Sequence, residues 1–262
     1  MFREINKNGV IYMTSPNISV RHGFTTRFGG VSEGIFSSLN LGLSCGDETD
    51  RALENYRILG AAMGIDTSKA AYSKQVHRDD IRVCTDEDRR APLNPVPYEA
   101  DGLITNIPNL PLLIFTADCT PILFHDSTAG IVGAAHAGWR GTVLDIAGKT
   151  VRKMTEVYGC RPENIHAAIG PCISKCCFET GAEVYEALKG VLGAEADEFA
   201  KRKPDGKYMT DLKGANCRLL ERAGVENIEV SDECTMCSSD KYWSHRATGG
   251  KRGVQCSLIV LD

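Results

Sequence analysis

Three short segments of this 262-residue chain carry side chains that could do chemistry together. Lys74-Gln75-Val76-His77 closes a strand-like stretch. Ala117-Asp118-Cys119-Thr120 joins two apolar runs, LLIFT and PILFH. Ala134-Ala135-His136-Ala137-Gly138-Trp139-Arg140-Gly141-Thr142 runs from a strand end into a helix start. Each segment puts a soft or borderline metal ligand where a strand meets a loop, so reactive groups stand on a rigid scaffold. His77, Cys119 and His136 make a set of two imidazoles and one thiolate. That set suits zinc with a fourth position left open, the catalytic pattern, and it also suits copper. The same residues support a metal-free alternative, with Cys119 as nucleophile and His136 or His77 as base. Taken singly, each has a plain role: a hydrogen-bonded histidine at a strand end, a buried thiol. Arg27, Lys74 and Arg140 lie in the same Gly- and Thr-rich segments. Beside a metal they read as an anion clamp, otherwise as ordinary surface charge. The AGWRGT turn opens a helix, and its free backbone N–H groups also favour an anion.

The elements that must position these groups are legible as periodicity. Gly9–Met13 and Ile18–Phe24 alternate as strands do. The stretch from Thr25 to Gly42, TTRFGGVSEGIFSSLNLG, has almost no period, and its Phe28, Ile35, Phe36 and Leu39 predict an ordered, functional loop. Ala52, Tyr56, Leu59 and Met63 share one face of a helix over Asp50–Met63, with Thr49 or Asp50 as cap and Gly64 as stop. Short apolar runs at Ala71–Val76, Ile81–Cys84, Gly102–Thr105, Leu112–Thr116, Pro121–His125, Gly130–Ala135, Ile165–Ile169, Ile228–Ser231 and Val254–Leu261 predict strands of buried sheet. Helices are expected over Thr142–Tyr158, Gly181–Leu192 and Asp211–Ala223. Strict βαβ alternation is missing, so the expectation is an α+β fold, mixed β-sheets packed between helices, in a single domain over residues 1–262.

Composition narrows the function classes. A formal charge of −4 argues against a surface built for nucleic acid or an anionic membrane, while leaving room for a local basic pocket. No apolar run approaches the roughly 20 residues of a membrane span, and MFREINKNGVIYM lacks the apolar core of a signal peptide. Eleven cysteines, an odd number, fit reduced thiols better than a disulfide framework. The expectation is a cytoplasmic protein whose oligomeric state, monomer or dimer, stays open.

Two motifs are decoys. Gly148-Lys149-Thr150 ends like a phosphate-binding loop, but the position that needs glycine holds Val143 and the tripeptide falls inside a helix. Gly30-Val31-Ser32-Glu33-Gly34 matches a nucleophile elbow, yet no helix follows Ser32. Cys234-Thr235-Met236-Cys237 is a C-x-x-C pair. With Cys172, Cys176 and Cys177 it offers a closed structural zinc site, a redox dithiol, or plain reduced thiols, and its spacing leaves these open.

In order, TTRFGGVSEGIFSSLNLG, KQVH, ADGLIT, TADCTPILF, AAHAGWRGT, IGPCISKCCFE and SHRATGGKRGVQ resemble the YfiH/YlmD family, from about residue 20 to the C-terminus. That family was long labelled multicopper polyphenol oxidoreductase, or laccase domain, and is regarded as zinc-dependent purine nucleoside phosphorylases. The resemblance implies that His77, Cys119 and His136 are metal ligands and catalytic. It implies phosphorolysis of adenosine, inosine, guanosine and S-methyl-5′-thioadenosine, with hydrolytic deamination of adenosine, so that purine nucleoside and phosphate are the partners. On that footing Arg27, Lys74 and Arg140 would clamp phosphate. Asn40 would hydrogen-bond ribose or base, and Asp118 would orient a ligand or handle a proton. SHRATGGKRG departs from the family's usual SHRRDGG-like segment, so no role is carried to His245 or Arg246, and the CTMC pair maps to no family role. The rival readings are a copper-dependent phenol oxidase, disfavoured by six histidines without a His-x-His pair, the Cys119–His136 hydrolase or acyl transferase, and a binding protein without turnover.

Overall fold

The computed structural model describes residues 1–42 and 45–262. Its strands are β1 Arg3–Lys7, β2 Val10–Thr14, β3 His22–Thr25, β4 Ile81–Val83, β5 Gly102–Thr105, β6 Leu112–Thr116, β7 Thr120–Asp126, β8 Ile131–Ala137, β9 Ile165–Ile169, β10 Glu179–Thr180, β11 Ala200–Arg202, β12 Tyr208–Thr210, β13 Asn227–Val230 and β14 Gln255–Ile259. Its helices are α1 Thr49–Met63, α2 Trp139–Val143, α3 Ile146–Tyr158, α4 Ala182–Leu192, α5 Ala196–Phe199, α6 Leu212–Arg222 and α7 His245–Thr248. None of these helices is long and apolar enough to cross a membrane.

Strand alternation sorts the apolar side chains into layers. One sheet has the order β1-β2-β3-β14-β6, all antiparallel; the other has β13-β9-β7-β8-β5-β4, with parallel pairs at both edges. Leu113, Cys256 and Leu258 point from the first sheet toward Tyr56, Leu59 and Ala62 of α1. Their neighbours Leu112, Ile114 and Ile259 point the other way, onto Leu123, Val132, Ala134 and Ala168 of the second sheet. Ile122, Phe124, Ala135, Ala167 and Ile169 leave the far face of that sheet to pack on Ile146, Val151, Met154, Leu188 and Leu219. The order is thus helix, sheet, sheet, helices, and period 2 alone decides which residue serves which interface. Strands covered on both faces read as unbroken apolar runs, which is why LLIFT and PILFH show no polar alternation.

The expected α+β architecture with mixed sheets is present, and five details differ. β1 is an exposed edge strand whose polar sequence, REINK, carries no apolar period. Ala71–Val76 forms no ladder: Ala71 bridges to Leu112 and Lys74 to Glu99, leaving this segment to line the site. Neither Thr49 nor Asp50 caps α1, whose cap residue is Glu48 without a side-chain bond; Gly64 ends it in the left-handed conformation, as expected. The helix expected over Thr142–Tyr158 is broken at Asp145, which takes φ 59° and accepts a hydrogen bond from Gly148 N at 3.1 Å, starting α3 anew. A small third sheet, β10-β12-β11, was not legible in the sequence.

Asp145 combines a left-handed backbone with a cap and an Arg152 contact at 2.8 Å. Asp145→Ala loses the cap and strains the backbone, and is expected to lower stability by about 1–2 kcal/mol. Asp145→Asn, which tolerates that backbone and still caps, should recover most of it. Urea denaturation midpoints of the two variants check this.

Candidate metal centre and binding cavity

Register brings the three candidate ligands to one end of the second sheet. Thr120 pairs with Ala137 and Pro121 with His136 across β7 and β8, while Gly102 of β5 pairs with Ala135 on the other side. Cys119, one residue before β7, therefore lies beside His136, and Asp101, one residue before β5, lies on the opposite flank. His77 comes from the unpaired segment after Lys74, with φ 60°. The ligand atoms of His77, Cys119 and His136 all lie within 4.8 Å of one another. Cys119 Sγ is 3.9 Å from His77 Nε2, and the two imidazoles meet edge to face at 4.8 Å.

Asp101 is the residue that sequence reading missed, although it stands inside the quoted ADGLIT. It is fully buried. Its carboxylate accepts the N–H of Val76 at 3.1 Å, of His77 at 3.0 Å and of Arg78 at 2.9 Å, and meets His136 Nδ1 at 2.7 Å. Burial works against the charged form, but the His136 bond and these backbone donors outweigh it and hold the carboxyl below its ordinary range. With Nδ1–H committed to Asp101, His136 turns Nε2 inward as a lone-pair donor, the arrangement metal-binding histidines use. Gly138 is the other missed residue. A Cβ there would lie 3.0 Å from His77 Cδ2 and 3.1 Å from Cys119 Sγ, so the main chain closes directly against the ligand set.

Without an ion, the same groups form a charge pair. Burial would raise the Cys119 thiol, yet the His136 and His77 imidazoles bring it down to about 6. Burial would likewise discharge His136, but the Cys119 sulfur and Asp101 raise it to about 9. Near neutral pH this is a thiolate beside an imidazolium. A divalent cation fits here: it takes over the positive charge and leaves one thiolate and two neutral imidazoles, a zinc donor set.

The centre floors a cavity of about 1050 Å³. Its wall includes Lys74, Asp118 and Arg140. Lys74 is tied to Glu99 at 2.8 Å. Arg140 lies 4.4 Å over the Trp139 ring. Asp118, with φ 83°, accepts from Thr235 Oγ1 and Arg246 N, each at 2.7 Å, so both its oxygens already hold the protein together. Two expected substrate contacts do not reach the wall. Arg27 is spent on the carbonyls of Ser37 and Ser239 and stacks 4.0 Å from Trp243. Asn40 is fully buried, donates to Asp47, and accepts from Gly42 N and Val254 N. Both shape the Thr25–Gly42 loop, ordered as expected, through Leu39 and Leu41 rather than the exposed Phe28 and Ile35.

The basic groups that sequence reading left unassigned come from the C-terminal segment: His245, Arg246, Lys251 and Arg252. Gly249 and Gly250 turn the chain there with φ 61° and 92°. Arg252 contacts the Gly253 carbonyl and His245 Nδ1, its buried Nε has no partner among the described residues, and burial lowers its affinity for the proton. Among the described residues neither Arg140 nor Arg252 has a carboxylate within ion-pair distance. The signal was a run of Gly and basic residues without helical or strand period.

Asp101→Asn replaces two acceptor oxygens by one and turns an N–H₂ toward backbone donors. Zinc affinity is expected to fall about 10- to 100-fold, measured by competition with a chromophoric chelator.

A family model described as "Multi-copper polyphenol oxidoreductase laccase" matches residues 21–262. A Deinococcus radiodurans protein named purine nucleoside phosphorylase is 38% identical over 253 residues, covering 97% of this chain and 94% of that protein. Bacillus subtilis purine nucleoside phosphorylase YlmD is 35% identical over 94% of this chain and 90% of its own length. Crystal structures of Bacillus licheniformis hypothetical protein YfiH and of YlmD from Geobacillus stearothermophilus superpose with TM-scores of 0.94 and 0.93, each at 35% identity, covering 100% and 99% of this chain and 99% and 98% of theirs. Sequence and fold thus agree, and the chain belongs to the multi-copper polyphenol oxidoreductase laccase family, which includes the YfiH and YlmD proteins.

Proposed function

We propose that this protein is a zinc-dependent purine nucleoside phosphorylase acting on adenosine, inosine, guanosine and S-methyl-5′-thioadenosine, with adenosine deaminase activity. The observation that carries the reading is one cavity holding three kinds of group at once. Its floor is the His77–Cys119–His136 centre, its wall has guanidiniums free of carboxylates, and Phe115, Trp139 and Phe178 offer apolar faces. A purine needs the aromatic faces, a phosphate dianion needs the guanidiniums, and the relatives' names supply the reaction class.

In phosphorolysis an oxygen of phosphate bonds to C1′ of the ribose as the C1′–N bond breaks. The bonding pair leaves with the purine, which takes up a proton. Arg140 and Arg252 hold phosphate against its own repulsion, with Lys251 adding charge at the rim. Asp118 serves as a positioning residue: its two accepted bonds fix the Thr235 and Arg246 backbones that frame Cys119. Zinc, when held by His77, Cys119 and His136, supplies Lewis acidity at the cavity floor. Asp101 keeps His136 in the ligating tautomer throughout. In deamination of adenosine, water replaces the C6 amino group and ammonia leaves.

The metal reading is preferred over an oxidase on the remaining histidines. His22 is held by Ser15 N and the Val20 carbonyl, His166 by Asn17, and His125 faces Ser19. His125 and His166 are register partners on β7 and β9, and His245 lines the cavity, but among the described residues none of these four joins a group of three or more ligand side chains within 4.8 Å. The thiolate–imidazolium pair does favour a second reading, a Cys119 nucleophile with His136 as base. That reading needs only one histidine, whereas the metal needs both.

Purified protein given adenosine should release adenine and ribose 1-phosphate only when phosphate is present, and inosine with or without it. Arg140→Ala and Arg252→Ala should each raise KM for phosphate about tenfold or more, in line with roughly 1.5–3 kcal/mol for a charged hydrogen bond. Base release indifferent to phosphate sinks the proposal. His77→Ala distinguishes the two readings: activity falls to background if the metal operates, and survives, resistant to chelators, if the thiol does. In chelator-treated protein, alkylation of Cys119 by iodoacetamide should stay fast down to about pH 6 and slow below it, because the thiolate persists to its lowered pKa; zinc should block the reaction.

A further inference from the structure

We propose that Cys176, Cys177, Cys234 and Cys237 form a second metal site, binding one zinc ion as a closed tetrahedral tetrathiolate. The four sulfurs lie within 4.8 Å of one another. Cys176 and Cys177 are 3.7 Å apart, and Cys237 is 3.5 Å from the first and 3.3 Å from the second. Zinc–sulfur bonds of about 2.3 Å place tetrahedral sulfurs about 3.8 Å apart, so Cys176, Cys177 and Cys237 already approximate one face of such a tetrahedron, with Cys234 Sγ within 4.8 Å of each. It is too tight for an iron–sulfur cluster, whose cysteines sit on different irons. Sequence distance makes chance assembly a poor account, since the pairs meet across almost sixty residues.

Backbone geometry aims the thiols. The turn after Ser174, closed by Cys177 N and Phe178 N donating to its carbonyl, brings two adjacent cysteines to one point. Cys172 and Cys234 bridge as in a parallel ladder, and Thr235 N donates to the Cys172 carbonyl, setting the two segments side by side. Ser174 N donates to Cys234 Sγ at 3.3 Å. The Met236 and Cys237 amides face the same sulfur. Amides pointing at the first sulfur of a C-x-x-C turn neutralise thiolate charge, which is what a tetrathiolate site requires. The remaining thiol protons leave when the ion binds.

The ion would act as a staple at the wall of the active site. The segments it joins contribute Ile173, Phe178, His245 and Arg246 to the cavity. Thr235 and Arg246, on the second segment, hold both oxygens of Asp118, the neighbour of Cys119. Four ligands with no open position make this site structural rather than catalytic.

Metal content and cobalt spectroscopy test it. Protein purified under reducing conditions with zinc should hold two zinc ions per chain by elemental analysis. His77→Ala/Cys119→Ala should hold one, and so should Cys176→Ser/Cys237→Ser, the latter with a thermal midpoint several degrees lower. Should that last variant fail to fold, His77→Ala/Cys119→Ala titrated with Co²⁺ still decides. The intense visible bands and sulfur-to-cobalt charge transfer of a tetrahedral tetrathiolate are expected. Their absence overturns the proposal, as does unchanged zinc content in Cys176→Ser/Cys237→Ser. A disulfide among these four cysteines in reduced, zinc-supplied protein overturns it too.

Discussion

The candidate site depends on how one buried carboxylate is satisfied. Asp101 accepts three consecutive backbone N–H groups, from Val76, His77 and Arg78, and the His136 ring, while its carbonyl accepts His136 N at 2.7 Å. A buried carboxylate without such partners would cost several kcal/mol. Here its needs organise everything around it. The three amides curl the 76–78 segment around the charge, and the left-handed backbone of His77 follows from that curl. The His136 bond chooses a tautomer. Two of the three candidate ligands are therefore aimed by one negative charge, and the third, Cys119, is aimed by strand register.

Rigidity comes from the layered core and access comes from its edge. β7 and β8 are buried along their whole length, so the positions of Cys119 and His136 are set by packing on both faces. Beyond the strand ends no sheet covers the ligands, and the walls are built by segments remote in sequence, the Lys74 stretch, the 173–178 turn and the C-terminal 245–252 loop. Such a division lets a precise donor set sit at the bottom of a cavity whose sides are loops. The overall charge of −4 is consistent with a cationic interior. Acidic groups are plentiful, but those nearest the cavity are already engaged, Asp118 by Thr235 and Arg246, Glu99 by Lys74.

What was legible in the sequence follows this division. The strands were readable because burial on both faces makes apolar runs, and the ligand residues were noticeable because each interrupts such a run or ends it. Asp101 was not, because an aspartate before a short strand has the same look whether it binds water or organises a metal centre; only the fold shows three amides converging on it. Arg27 and Asn40 misled in the opposite sense. Polar residues in a long Gly-rich loop invite a binding role, yet such a loop must satisfy its own backbone, and these two side chains are consumed doing so. Arg252 escaped notice because nothing local distinguishes it from Lys251 or Arg246. Its significance lies in a buried Nε without a partner among the described residues, which is a three-dimensional fact.

The same centre is compatible on paper with thiol chemistry and with metal chemistry, and the surrounding contacts discriminate between them. A cysteine nucleophile requires one base and an open approach to sulfur. Here Cys119 has two imidazoles beside it, one held by a carboxylate and the other by a strained backbone. Gly138 packs so closely that a single methyl group would touch both His77 and Cys119. The convergence of His77 on Cys119 and the tight approach of the main chain at position 138 add nothing for a nucleophile that needs only His136. Both are what a three-donor set needs, because ligand atoms must converge to a common point from three chain segments, and the convergence has to be enforced by the protein before the ion arrives.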